Sequence, residues 1–403
     1  MNTSEPLLVC IPPLYCPIPA AIHPQHADMQ LRALDWMAQF GFCADETSRR
    51  RVVAINGAEF VARMTPRGDP ERMQVFVDWA HLSLLFDDTY DLLSDSSAGG
   101  ALAGFAEMAV KLMRTFEAPQ ASMMPPDSPF SAPLHDLAQR THRFATPVQL
   151  RRMVEAQRTW LSCVAWEIAC KTRPEPPSLN DYVVLRMGTV GGIASSSWIE
   201  ILNATEAPSH AIDSLPVRAL SETAGLIVGM DEDLYSYGKD LWHQQRDGTP
   251  LLNIVSIVGH HLACSHEQAL AEVVMMRDRL MNLFLTLRNQ ILRDACPALA
   301  LYLTDLGHYI RGTADWGMHT DRYRNPDGAS PHAVEIVHQW SETPSDTSLK
   351  PLPLPAIRWW WDQLQDASQG MSRSADDQGQ RDLGHAPSAA PAPGGVRQVL
   401  RNP

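Results

Sequence analysis

Residues 75–91 read Val-Phe-Val-Asp-Trp-Ala-His-Leu-Ser-Leu-Leu-Phe-Asp-Asp-Thr-Tyr-Asp, a mostly apolar run that ends in three carboxylates. Phe76, Val77, Trp79, Ala80, Leu82, Leu84, Leu85 and Phe86 leave no polar face, so this segment reads as a helix of the interior. On that helix Asp87 and Asp91 stand one turn apart and face the same way. Acidic runs on helices are usually solvated faces, but one that ends a buried helix is harder to explain in that way. Paired carboxylates at an apolar mouth repel each other and are costly to desolvate. A divalent cation relieves both problems, and Mg²⁺ suits oxygen ligands with the rest of its shell left to water and phosphate oxygens.

A second cluster runs Asp231-Glu232-Asp233-Leu234-Tyr235-Ser236-Tyr237-Gly238-Lys239-Asp240 after the apolar stretch 224–230. Glu232, Ser236 and Asp240 step by four and drift only about 40° per step around a helix, giving one face with a carboxylate, a hydroxyl and a carboxylate. The register Asp233, Ser236 and Asp240 would also place three oxygens together. A solvated acidic helix could carry either set, yet two such clusters, each following an apolar helix, suggest a cavity with cations held between them.

Together FDDTYD and EDLYSYGKD resemble the two metal-binding motifs of bacterial class I terpene synthases. The first resembles the aspartate-rich DDxxD motif. The second resembles the (N/D)DxxSxxxE motif, and its DLYS core favours the 232/236/240 register. The resemblance implies metal ligands at Asp87, Asp91, Glu232, Ser236 and Asp240, three Mg²⁺ ions, and a diphosphate contact at Lys239. Arg186, 46 residues before Glu232 and followed by Gly191-Gly192, is similar to the family's diphosphate-sensing arginine and helix break. Arg322-Tyr323 is similar to its diphosphate-binding pair, and Pro12 to Pro17 to its proline-rich lead. Two positions depart from the pattern: Glu232 stands where Asn or Asp is usual, and Asp240 where Glu is usual.

The implied activity is Mg²⁺-dependent ionisation and cyclisation of a linear isoprenyl diphosphate, with farnesyl diphosphate giving a sesquiterpene as the leading expectation. Geranylgeranyl diphosphate and a methylated geranyl diphosphate of the 2-methylisoborneol type are alternatives. Asp87, Arg186, Lys239, Arg322 and Tyr323 would carry catalysis. Phe60, Trp79, Phe86 and Trp316 are candidates for a pocket wall that stabilises cations, although an aromatic of this kind is more often ordinary core. A chain-elongating prenyltransferase would carry a second aspartate-rich motif in place of the serine-bearing one. A catalytically inactive scaffold is the other rival.

The remaining sequence is consistent with that expectation. Net charge is −13 over 403 residues, which argues against a nucleic-acid partner. No apolar run is long enough to span a bilayer. Seven cysteines without CxxC spacing, and no secretory leader, point to a reducing cytoplasm. From residue 26 onward helix-period patterns dominate, including segments expected at 46–64, 178–202 and 209–241, and no alternating strand pattern or repeat stands out. The expected architecture is all-α: a Pro-rich segment over 1–24 that runs extended on the surface, one class I terpenoid synthase-type helical domain over 25–335, and an irregular, largely disordered tail over 336–403. Within that tail Trp359, Trp360 and Trp361 could dock on the domain, or anchor a partner or a membrane interface, and a basic end over 397–401 could serve as a docking peptide. A homodimer is compatible with the resemblance.

Overall fold

Long amphipathic and all-apolar helices dominate the computed structural model, which describes residues 6–91, 98–121, 123–327 and 329–364, with the backbone alone for 88–91, 98, 99 and 101. In chain order the helices are α1 (His26–Gln39), α2 (Glu46–Ile55), α3 (Gly57–Met64), α4 (Pro70–Asp91) and α5 (Ala98–Glu117). There follow α6 (Ser131–Phe144), α7 (Pro147–Lys171), α8 (Leu179–Thr189), α9 (Gly192–Ser196) and α10 (Ile199–Leu202). The last five are α11 (Ser209–Ile212), α12 (Leu215–Asp247), α13 (Ile254–Leu262), α14 (His266–Leu292) and α15 (Pro297–His319). α12 packs against α14 and α15, α15 against α3, and α5 and α8 against α7. α4 is buried around most of its circumference, as its sequence requires, and Phe76 stacks on the buried Trp198 at 5.0 Å. No helix among the described residues is long and apolar enough to cross a membrane.

Three expected helices are each interrupted. The segment 46–64 breaks at Asn56, whose backbone is left-handed (φ 46°) and whose side-chain amide donates to Glu59 at 2.6 Å. Asn accepts that conformation at low cost because its short polar side chain bonds locally. The segment 178–202 breaks at Gly191 (φ 67°) and again near Trp198. The segment 209–241 divides before Pro216, which sits in the first turn of α12, where its missing N–H costs nothing.

Four short strands were not expected. β1 (Leu7–Cys10) pairs parallel with β3 (Val334–Val337), and β2 (Leu14–Tyr15) pairs parallel with β4 (Trp340–Ser341). Strands of two to four residues are too brief to show alternation, and their partners lie at the opposite end of the chain. The N-terminal segment is extended, but it does not merely cover the surface: Val9, Ile11, Leu14, Cys16 and Ile18 are buried. The compact unit also extends to Leu364, so the boundary expected at 335 falls inside it. Leu352, Leu354, Ile357, Trp360 and Trp361 are buried, and Trp360 Nε1 donates to Glu222 Oε2 at 2.9 Å on the first turns of α12. The tryptophan cluster therefore docks on the helical body. The rest of the expected tail, including the basic end over 397–401, lies outside the described residues.

The segment around Tyr15 and the segment around Ser345 converge on one buried ion cluster. Arg277 on α14 is fully buried and grips Asp231 of α12 through Nε at 2.8 Å and Nη2 at 3.1 Å. It also donates to the Tyr15 carbonyl. Its neighbour Asp278 accepts from the Tyr15 amide at 3.3 Å and from the amide and hydroxyl of Ser345, each at 2.8 Å. All seven cysteines are free, so no disulfide assists this closure.

α9 crosses α12 at a glycine pair. A Cβ placed on Gly192 would lie 2.6 Å from Gly225 Cα, whereas a Cβ on Gly225 would meet nothing nearer than 3.6 Å. Gly192→Ala should therefore destabilise the fold by about 1–3 kcal/mol, as overpacking against rigid backbone does. Gly225→Ala should be neutral or stabilising by up to about 1 kcal/mol, the gain of alanine over glycine within a helix. Equal losses for both in urea unfolding would contradict the asymmetric crossing.

α4 also buries two titratable groups whose shifts oppose each other. Burial pushes the Asp78 carboxyl up to about 6, although Arg140 at 2.7 Å and Gln74 at 2.8 Å pull it down. Burial pushes His81 down to about 4, against its bond to the Val77 carbonyl. Asp78 thus lowers folding stability as pH rises from 3.8 toward 6, because only the unfolded state has released its proton. His81 lowers it as pH falls from 6.5 toward 4, because only the unfolded state has gained one. Relative to the parent protein, Asp78→Asn should lose stability on acidification through that window and His81→Gln should gain it, each by roughly 3 kcal/mol. Stability–pH curves parallel to the parent's for both variants would overturn this assignment.

Candidate active site

One face of α4 opens on a cavity with about 780 Å³ of empty space, counting its mouth. Phe76, Trp79, Ala80, Ser83, Leu84 and Asp87 line it, at the three- and four-residue spacing of a single helical stripe. From the other walls come Phe60 on α3, Gln157 and Trp160 on α7, Val228 and Glu232 on α12, and Tyr309, Thr313 and Trp316 on α15. Arg186, Thr189, Val190, Gly191, Ala194 and Ser195 complete the lining around the α8–α9 break. Asp87 and Glu232, from two acidic clusters far apart in sequence, thus border the same space.

The four aromatic candidates separate. Phe60, Trp79 and Trp316 line the cavity, with Phe60 5.6 Å from Trp316 and Trp79 6.3 Å from Trp160 between ring centres. Phe86 does not line it. Turned about 100° from Asp87 on α4, its ring packs into the core against Phe105 at 6.0 Å and Phe130 at 5.4 Å. Sequence reasoning missed Phe76, Trp160 and Tyr309. Phe76 shares the stripe of Ser83 and Asp87, so helical spacing could have found it. Trp160 and Tyr309 carry no local signal.

The acids of α12 take three directions. Asp231 is bound by Arg277. Asp233 points inward, where Oδ2 accepts from Tyr182 Oη at 2.7 Å and from the Ile254 amide at 2.8 Å. Its Oδ1 lies 2.8 Å from Arg186 Nε, an ion pair at an angle too bent for a hydrogen bond. Glu232 faces the cavity, with Oε2 accepting from Arg186 Nη2 at 3.0 Å and Oε1 from Tyr323 Oη at 2.8 Å. Burial pushes Asp233 up to about 7, although Arg186 opposes the rise. Burial likewise works against the charge on Arg186, but Asp233 and Glu232 outweigh it and hold the guanidinium firmly protonated.

Farther along α12, Ser236 Oγ donates to Asp240 Oδ2 at 2.9 Å, and Asn253 Nδ2 donates to the same oxygen at 3.0 Å and to the Asp233 carbonyl at 2.8 Å. Asn253 caps α13 and so ties that helix to the end of the acidic face. Ser236 and Asp240 lie one and two turns beyond Glu232, outside the cavity lining itself. Lys239 Nζ stands 6.0 Å from the Tyr323 ring centre, and Arg322 lies in the short 3₁₀ turn Asp321–Tyr323. These two join the site through Tyr323 and do not line the cavity. The side chain of Asp91 lies outside the described residues. Among the described residues no three His, Cys, Asp or Glu side chains gather closely enough to form a metal site alone. The set at Glu232, Ser236 and Asp240 is entirely oxygen, including one hydroxyl, which fits a hard cation that draws further ligands from elsewhere. Both Glu232 oxygens already accept a hydrogen bond, yet each retains a second lone pair.

Comparison with known proteins places this arrangement. Residues 78–282 match the family model described as terpene synthase family 2, C-terminal metal binding. Phomopsene synthase of Allokutzneria albata is 39% identical over 364 residues, spanning 89% of this chain and 99% of that one. Diterpene cyclase DtcycA of a Streptomyces species is 34% identical over 370 residues, spanning 89% and 98%. The crystal structure of the SVS_A2 protein from ancestral sequence reconstruction superposes with a TM-score of 0.75 at 35% identity, over 87% of this chain and 98% of that one. A helical body with two acidic helices facing one aromatic cavity thus coincides with relatives that align almost from end to end, and the chain belongs to the bacterial terpene synthases, lyases of the class I helical fold that act on isoprenyl diphosphates.

Proposed function

We propose that this enzyme ionises and cyclises a linear isoprenyl diphosphate in a Mg²⁺-dependent reaction, with the diphosphate held at the two acidic helices and the hydrocarbon chain in the aromatic cavity. The observation that carries the reading is the shared border: Asp87 and Glu232 edge a space whose opposite walls include Phe60, Trp160, Tyr309 and Trp316. Asp87 and Asp91 on α4, with Glu232, Ser236 and Asp240 on α12, are the residues that would hold the metal. When bound, Mg²⁺ supplies Lewis-acid charge that makes diphosphate a better leaving group.

The chain's own residues do the rest. Arg186 is fixed at the cavity edge by two carboxylates, so its charge is already oriented when substrate arrives. Tyr323 is set by its bond to Glu232, and Lys239 and Arg322 add positive charge beside it. Together they bind diphosphate oxygens and stabilise the negative charge that develops there. Walls dominated by aromatic and aliphatic groups keep water from the cation that remains. The faces of Phe60, Trp79 and Trp316 attract that cation, each by ~0.5–2 kcal/mol according to desolvation.

Farnesyl diphosphate is the first substrate to test, following the sequence. A second reading, geranylgeranyl diphosphate, is favoured by the 34% identical relative named a diterpene cyclase. Purified enzyme should release diphosphate and a cyclic hydrocarbon or alcohol from one of these in the presence of Mg²⁺, and chelation should stop the reaction. Mass spectrometry of the volatile products identifies the chain length. No Mg²⁺-dependent release from any prenyl diphosphate would overturn the cyclase reading. A requirement for isopentenyl diphosphate would mark a chain-elongating enzyme.

Asp87→Ala should reduce turnover by at least about 10²-fold, the scale seen when transition-state charge stabilisation is removed, with the circular dichroism spectrum unchanged. Glu232→Asn restores the residue usual in the family and breaks the contacts to Arg186 and Tyr323. If Glu232 serves as a metal ligand, the Mg²⁺ concentration needed for half-maximal activity should shift in this variant; the parental Mg²⁺ dependence would place that ligand elsewhere.

A further inference from the structure

The four carboxylates between residues 231 and 240 are not answered alike. Arginine meets three of them: Arg277 binds Asp231, and Arg186 lies against both Glu232 and Asp233. Asp240, at the far end of the acidic face, is bonded by neutral groups, Ser236 Oγ at 2.9 Å and Asn253 Nδ2 at 3.0 Å. Both donors go to Oδ2, and neither touches Oδ1. An arginine offsets a carboxylate's charge, whereas a hydroxyl or an amide fixes its direction and leaves the charge in place.

Asn253 is built to hold that direction. It is fully buried, and both ends of its amide are bonded. Oδ1 accepts from the Val255 amide at 3.0 Å and so caps α13. Nδ2 gives one hydrogen to the Asp233 carbonyl at 2.8 Å and the other to Asp240. Turning the amide over would set Oδ1 against two acceptor oxygens, so the fold admits one orientation. The adjoining backbone is pinned as well. The Ile254 amide donates to Asp233 Oδ2 at 2.8 Å, and Ser256 Oγ donates to the Asn253 carbonyl at 2.8 Å.

This arrangement prepares Asp240 for a cation. Its full negative charge is retained, its torsions are fixed by two bonds to Oδ2, and Oδ1 keeps its lone pairs. Ser236 has given its hydrogen to Asp240, so the lone pairs of its oxygen remain as well. A side chain that bonds a metal's ligand and not the metal itself orients that ligand. Loss of such a partner commonly weakens metal affinity by about 10–100-fold.

From this geometry we infer that Asn253 is a positioning residue for the metal: its amide, held between the α13 cap and the Asp233 carbonyl, presets Asp240 so that a divalent cation meets an oriented, uncancelled carboxylate. The inference rests on the reading of Asp240 as a metal ligand given above. Asn253 touches neither substrate nor reacting atoms, and no proton changes hands there. Its contribution is to remove the ordering that Asp240 would otherwise undergo when the cation binds.

Capping and positioning can be separated. Serine caps a helix as well as asparagine does, and glycine nearly so, but neither carries the amide that spans from Asp233 to Asp240. Mn²⁺ titrated into the full-length enzyme with inorganic diphosphate, and followed by the electron paramagnetic resonance signal of unbound Mn²⁺, reads metal affinity without turnover. Asn253→Ser should bind Mn²⁺ about tenfold more weakly than the parent, the scale of a lost orienting partner. With whichever prenyl diphosphate the parent enzyme uses, its half-saturating Mg²⁺ concentration should rise by a similar factor, and excess Mg²⁺ should restore most of the rate. Asn253→Gly should repeat the shift and supplies the comparison if the serine variant does not fold. Parental Mn²⁺ affinity in the folded variant overturns the inference. So does a loss of turnover that excess Mg²⁺ leaves uncorrected, which would mark a purely structural role. Asp240→Asn in the same titration tests the reading beneath: parental affinity there takes Asp240 out of the metal site altogether. Weakened binding in Asp240→Asn beside parental binding in Asn253→Ser refutes Asn253 alone.

Discussion

Three consecutive acids on a buried helix set the terms for this structure. Successive residues of a helix point about 100° apart, so Asp231, Glu232 and Asp233 cannot share one environment. Each needs its own compensation, since an unpaired buried carboxylate is costly. Arg277 answers Asp231, while Arg186, Tyr182 and the Ile254 amide answer Asp233. Glu232 is left at the cavity edge with Arg186 and Tyr323 as partners. Satisfying the two inward acids therefore fixes the rotation of α12 and, with it, the direction of the third. The glycine contact between α9 and α12 belongs to the same constraint, because it brings the α8–α9 break close enough for Arg186 to reach both carboxylates.

The same pairing couples the site to the segments around Tyr15 and Ser345. Arg277 binds Asp231 on one side and the Tyr15 carbonyl on the other, and Asp278 holds Tyr15 and Ser345. The acid next to Glu232 is thereby tied to the segments that carry β2 and follow β4. Buried ion pairs contribute little net stability. Their effect here is geometric: the arrangement that satisfies all these charges places the acidic face of α12 at the cavity mouth.

How much of this was legible in the sequence follows from the range of each interaction. The interior character of α4, its Asp87 terminus, the 232/236/240 face and the helix break at Gly191 were readable because each depends on residues within a few turns. Asn56 was less so; it resembles any polar residue within a helical pattern until its backbone is seen to be left-handed. Interactions between distant segments were not readable at all. β1 and β3 are four-residue strands at opposite ends of the chain, and composition alone made residues 336–364 resemble a loose tail when Leu352, Ile357 and Trp360 in fact complete the core. Arg277 and Tyr182 have no motif around them, since what makes them important is a partner 46 or 51 residues away. Phe86 failed for a simpler reason: its helix has an interior on every side, and sequence does not reveal which side holds the cavity.

The two departures in the second acidic motif make sense as a pair. Glu232 reaches one methylene farther than an Asn or Asp would, and its carboxylate spans from Arg186 to Tyr323, with one oxygen for each. A shorter side chain from the same backbone could not be expected to reach both. Asp240 is one methylene shorter than the usual Glu, and its Oδ2 is gathered in by Ser236 and Asn253, close to the α12 surface. Length has moved from one end of the face to the other. Glu232 thereby joins Arg186 and Tyr323 on one carboxylate, while the far end is held by a serine and a helix-capping asparagine. The face keeps its spacing and remains all oxygen, so the exchange changes which neighbours orient its side chains, and it adds a negative charge wherever the usual residue is Asn.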